Sequence, residues 1–215
     1  SERKIIKAEQ AYEELSHSER DEVFNYGALT SARVKVDSLL ADIVIEKIKE
    51  IAVAISSDSE AAIIEAETAY NSLTAAQKAL VTNYDNLVDA HAVCNVIISI
   101  EGIGEITSMS ESAIATAQAL YDALTQTQIV KVPRSILTLL TDAQAVCPVV
   151  KSIAEIGIVT SDSLAAMDKA ATAFSLLSTS QQAKVSNYSL LIDSREAYAT
   201  VRLIEGIGEV SEEAY

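Results

Sequence analysis

Apolar side chains recur at steps of 3, 4 and 3 in four separate stretches: Ile5, Ala8, Tyr12, Leu15; Ile63, Ala66, Tyr70, Leu73; Ile114, Ala117, Tyr121, Leu124; and Met167, Ala170, Phe174, Leu177. That spacing places each set on one face of an α-helix, so each stretch is predicted to be an amphipathic helix packed against partners. The aromatic ring at the third place of every stripe reads as core filler.

Each stripe runs into Ser or Thr followed three residues later by Glu or Gln: Ser16–Glu19, Thr74–Gln77, Thr125–Gln128 and Ser178–Gln181. This is the capping-box pattern. The hydroxyl satisfies a first-turn amide and the side chain three residues on reaches back to the cap amide. A short helix of about two turns is predicted from each cap to a Val seven residues on. Asn-Tyr then follows at Asn25-Tyr26, Asn83-Tyr84 and Asn187-Tyr188. The third copy departs, reading Val132-Pro133-Arg134-Ser135, with two extra residues before its next seam Leu.

The longest helix of each copy is predicted beyond that point, for example from Asp85 to Ile103. It carries two apolar seams, Leu87, Ala90, Cys94, Ile97 and Val93, Val96, Ile100, Ile103. The third copy repeats both as Leu140, Ala143, Cys147, Val150 and Val146, Val149, Ile153, Ile156. Two seams predict one helix that closes its own bundle and opens the next. At 1.5 Å per residue, about 20 residues span about 30 Å. Gly104, Gly157 and Gly208 fit the left-handed position that ends a helix. Ser or Thr just beyond is predicted to cap the next one. Around Ile48 to Ser56 the corresponding landmark lacks Gly. Pro133 is placed in a first helical turn, and Pro148, in mid-helix, is expected to kink or restart its helix, with the greatest bend between the third and fourth copies.

The cap hydroxyls lie 58, 51 and 53 residues apart, and three landmarks in fixed order define internal repeats. They divide the chain into an incomplete first repeat at 1–47, a second at 48–99, a third at 100–152, a fourth at 153–203, and the start of a truncated fifth at 204–215. A piece of a longer chain is expected from that register. The predicted fold class is all-α: an elongated tandem array of three-helix bundles whose helices are shared or nearly continuous between repeats, as in spectrin-like rods.

Composition narrows the picture. Gly (6) and Pro (2) are scarce and Trp is absent, which disfavours strands and tight turns. A net charge of −15 disfavours nucleic-acid and anionic-membrane partners. No uninterrupted apolar run approaches the roughly 18 residues of a membrane span, so no membrane insertion is expected.

No catalytic, cofactor-binding or metal-binding residue emerges. Cys94 and Cys147 hold equivalent places in neighbouring repeats and read as buried thiols. His17 and His91 lack companions at metal-ligand spacing. Gly102-Ile103-Gly104 and Gly206-Ile207-Gly208 follow helices and lack the third Gly and Lys of a phosphate loop. Asn187-Tyr188-Ser189 fits a glycosylation acceptor, a pattern common by chance.

At the cap and Asn-Tyr landmarks, Ala66-Glu-Thr-Ala-Tyr70 and Thr74-Ala-Ala-Gln-Lys-Ala-Leu-Val-Thr-Asn-Tyr84 resemble a tandem three-helix-bundle repeat of Gram-positive, clostridial-type cell-surface proteins. The fourth copy matches with Phe174 and Ser178 in place of Tyr and Thr. The resemblance implies a secreted, wall-associated location and no catalytic residues. A non-enzymatic spacer or stalk is expected, with no cofactor, as a monomeric rod. The alternative is an adhesive module whose helix faces bind a host or neighbouring surface protein or a glycan. The irregular stretch from Val132 to Leu140 is the place to seek such a site.

Overall fold

The computed structural model describes residues 2–207. Among them the chain is all-α, with no strand. Twelve helices fall into four successive sets of a first helix, a one-turn helix and a long helix. The first helices are α1 (Glu2–Glu13), α4 (Glu60–Ser72), α7 (Glu111–Asp122) and α10 (Leu164–Ser175). The one-turn helices are α2 (His17–Asp21), α5 (Ala75–Lys78), α8 (Gln126–Ile129) and α11 (Thr179–Gln182). The long helices are α3 (Tyr26–Ala52), α6 (Tyr84–Glu101), α9 (Arg134–Ala154) and α12 (Tyr188–Glu205).

The chain divides into two compact units, Ser1–Cys94 and Asn95–Tyr215, with the division falling inside α6. In the first unit, α3 packs against α1, α4 and α5. In the second, α9 packs against α7, α10, α11 and α12, and α10 packs against α12. Each long helix at the centre of a unit thus receives the first helix of its own set and the first helix of the next.

All four capping boxes form, at Ser16, Thr74, Thr125 and Ser178. The Thr74 amide donates to Gln77 Oε1 at 2.9 Å, and the Gln77 amide donates to Thr74 Oγ1 at 3.3 Å. The helices they start are 5, 4, 4 and 4 residues long, about half the two turns expected. Three-residue hydrogen bonds take over at once, as from the Leu80 amide to the Gln77 carbonyl and from the Val81 amide to the Lys78 carbonyl. The chain tightens so that Val81 is buried at the end of the turn. Thr74→Ala should cost about 1 kcal/mol in urea unfolding, because the Gln77 amide loses its acceptor; an unchanged midpoint would show that the cap is idle.

The two seams are buried as periodicity requires. Along α9 and just past its end all eight positions, from Leu140 to Ile156, are buried, and of the seams of α6 only Ile103, two residues past its end, remains half-exposed. Three first-helix stripes are largely buried as well, while Ala8 of the first is exposed. The third copy's two extra residues lengthen its long helix: α9 has 21 residues against 18 in α6 and α12. α3 reaches 27 residues and runs to Ala52, where no Gly stands to end it.

Gly104 and Gly157 adopt φ of +58° and +59°, as expected of left-handed helix ends; Gly208 and the fifth-repeat start beyond Ile207 lie outside the described residues. A Cβ on Gly104 would meet nothing within 4 Å. Gly104→Ala should therefore cost about 1–2 kcal/mol through backbone conformation alone. Gly27→Ala, equally open but inside α3, should stabilise by about 0.5 kcal/mol. Thermal melts of the two variants should shift in opposite directions.

The prolines fall differently from expectation. Pro133 is the N-cap of α9, one residue ahead of its first turn, with ψ of 138°. Pro148 does not restart α9, which continues to Ala154. Its ring sits on the exposed strip of the helix, where the Gln144 carbonyl that lacks a donor can turn to water. By length and composition α9 is also apolar enough to cross a membrane, although half of the relevant window is buried inside the protein. Its seams face α7, α10, α11 and α12, and its middle carries Asp142.

Candidate functional site

The polar groups that the fold draws together lie where one helix set packs on the long helix of the set before it. Gln77, whose Oε1 closes its capping box, is 2% exposed, and its Nε2 donates to Asp37 Oδ1 of α3 at 2.8 Å. Gln181 repeats this, donating to Asp142 Oδ1 of α9 at 3.0 Å. A second device sits six residues on. Asn83 Nδ2 donates to the Ile45 carbonyl at 3.0 Å, and Asn187 Nδ2 donates to the Val150 carbonyl at 2.8 Å.

Each Asp acceptor also meets a cation. Arg33 lies one turn before Asp37 at 3.6 Å and reaches Glu9 of α1 as well. Lys184 Nζ donates to Asp142 Oδ2 at 2.6 Å. Asp142 is buried, and the hydrogen bond from Lys184, helped by Gln181, holds its carboxyl below the ordinary range despite burial. Charge-assisted bonds of this sort are the stronger class. The arrangement fixes register between helices; it holds no nucleophile beside a base.

The stripe aromatics are rim groups, not core filler. Tyr12, Tyr70 and Phe174 are half-buried, and each stacks on the Tyr of Asn-Tyr (Tyr26, Tyr84, Tyr188) with centroids 4.0 Å apart and planes 19° apart. Arg20 covers Tyr12 at 5.4 Å, and Lys78 covers Tyr70 at 5.2 Å. The third copy places Arg134 at the start of its long helix where the other copies have Tyr, so Tyr121 has no equivalent ring to stack on.

Cys94 and Cys147 are both buried thiols, not a disulfide. Cys94 Sγ donates to the Ser56 carbonyl at 3.3 Å and Cys147 Sγ to the Thr107 carbonyl at 3.6 Å, each within its own unit. Burial pushes the Cys147 thiol above its ordinary pKa, which keeps it protonated and poorly nucleophilic. His91 Nδ1 pairs with Glu67, a partner the sequence pattern did not suggest. Among the described residues no group of three or more His, Cys, Asp or Glu is placed to hold a metal ion. The side-chain nitrogen of Asn187 is engaged by Val150 and its oxygen is buried, so the Asn187-Tyr188-Ser189 acceptor pattern has no accessible amide.

In the irregular third copy, Val132, Ile136 and Leu140 are buried while Leu139 is 42% exposed. Leu139 borders a half-open groove of about 500 Å³ together with Ile100, Ile103, Ile106, Ala143 and Lys184. Its walls are mostly apolar, with Glu101, Glu105 and Ser186 beside Lys184 as the polar residues that line it. Compared with known proteins, the chain matches no family model, no curated protein and no solved structure.

Proposed function

We propose that the chain is a non-enzymatic spacer: a tandem array of three-helix bundles, elongated because each long helix serves two bundles, that projects other domains from a bacterial cell surface. One observation carries this reading. The same polar junction, Gln to Asp and Asn to a main-chain carbonyl, recurs in both units and uses its buried polar groups to hold helix to helix. Quasi-one-dimensional proteins gain stability from such nearest-neighbour interfaces. The resemblance to surface repeats of Gram-positive bacteria adds the extracellular, wall-associated location, and an acidic exterior suits an exposed rod.

Display tests the role directly. With the full chain set between a surface anchor and a fluorescent domain, the reporter should stand off the surface by the long dimension of the particle. A reporter no farther out than one anchored directly would contradict the proposal. A second reading, an adhesive module, draws support from the apolar groove beside Leu139. Saturable binding of a surface protein or glycan, abolished by Leu139→Glu, would favour it over the spacer.

A further inference from the structure

A flank with one register recurs on the long helices. It begins with an Asp and continues at four, seven, eleven and fourteen residues beyond: Asp37 with Ala41, Val44, Ile48, Ile51, and Asp142 with Val146, Val149, Ile153, Ile156. All eight apolar positions are buried, with α4 and α5 packed on α3, and α10 and α11 packed on α9. α12 carries the same flank as Asp193 with Ala197, Thr200, Ile204 and Ile207. There it is bare. Ile204 is 62% and Ile207 67% exposed, and Asp193 is exposed with no side-chain partner among the described residues.

What fits this flank is legible from the two covered ones. The covering element brings a first-helix stripe, a Gln three residues past its cap, and an Asn for the carbonyl eight residues past the Asp; in α12 that carbonyl belongs to Val201. In the second unit it also brings Lys184 to the Asp. The chain's own first set supplies the stripe of α1 and Asn25, and Ala8 of that stripe is exposed. Yet it carries Glu19 in place of Gln181 and Glu22 in place of Lys184. Docked on α12 of a second copy, these would set two carboxylates against Asp193 at a place where Gln77 is buried and Gln181 half-buried. Like charges brought together with little solvent strongly disfavour association.

We propose that the α12 flank is a docking surface for a helical repeat of this same kind that carries Gln and Lys at these two positions, and that Glu19 and Glu22 bar this chain's own first repeat from it. The bar matters because head-to-tail contacts between identical copies build rings where the rotation closes and filaments where it does not. The docking holds whether or not the chain serves as a stalk.

Sedimentation of the full chain at neutral pH tests both halves. Wild type should be monomeric, and the Glu19→Gln, Glu22→Lys double variant should self-associate at least tenfold more tightly. Adding Ile204→Asp should return the double variant to monomer. A double variant that keeps wild-type helicity and stays monomeric would overturn the proposal, as would wild type that oligomerises or oligomers that survive Ile204→Asp. Should the double variant lose helicity, Glu19→Gln alone, which restores the Gln found in the other three caps, is read by the same criteria.

Discussion

Ile153→Ala should lower the stability of the second unit by about 3 kcal/mol, the usual range for a buried Ile reduced to Ala being about 2–5 kcal/mol. Ile153 is 0% exposed in the middle of the second seam of α9. α7, α10, α11 and α12 all pack on that helix, so a cavity there cannot collapse by a shift of one neighbour alone. The matching residue of α12, Ile204, is 62% exposed, and Ile204→Ala should cost no more than about 0.5 kcal/mol. Urea unfolding followed by circular dichroism compares the two. Equal losses would mean that the shared-helix seam does not hold the unit together.

Asp142→Ala should cost on the order of 2 kcal/mol at neutral pH, since it removes the acceptor for Gln181 and Lys184, and bonds to a charged group contribute about 1.5–3 kcal/mol. The effect should depend on pH in a defined direction. Lys184 lowers the Asp142 pKa in the folded protein. Below neutrality the unfolded chain therefore takes up this proton first, and the stabilisation is complete only above the ordinary Asp value near about 4. It is lost as pH falls through the lowered folded value. The gap between wild type and Asp142→Ala should thus be constant from pH 7 to about 5 and narrow below about 4. A gap that stays the same down to pH 2.5 would show that the loss comes from packing alone.

Much of the fold is legible in the sequence because it rests on period and on local chemistry. The steps of 3, 4 and 3 locate the buried faces of α4, α6, α7, α9 and α10, since a helix can bury only what lies on one side. The capping boxes and the positive φ of Gly104 and Gly157 follow equally, being decided within a few residues. Three features escape this reading. The one-turn helices stop early because burying Val81 and Val185 requires the chain to tighten, which is a tertiary demand. Pro148 leaves α9 unbroken because its ring happens to lie on the exposed strip. The stacked rings sit at a rim because the Tyr of Asn-Tyr arrives from the next helix.

The polar junction is harder to see in the sequence. A lone Asp on a helix reads as part of a solvated face, and a capping Gln reads as satisfied by its cap. The sequence nonetheless carries a signal for it. Asp37, Asp89, Asp142 and Asp193 recur 52, 53 and 51 residues apart, always four residues ahead of the second seam. A polar position that keeps register with an apolar stripe faces the edge of the same interface, where its partner must come from the element that covers the stripe. The Gln at the start of that element, whose cap uses only its side-chain oxygen, is the natural donor.

Small-angle scattering of the full chain in dilute solution tests the central claim, that successive helix sets add end to end. A compact globule of 215 residues has a radius of gyration of about 17 Å. A tandem array predicts a value clearly above that, with a skewed distance distribution extending to a long maximum dimension. A symmetric distribution with a radius of gyration at about 17 Å would contradict it.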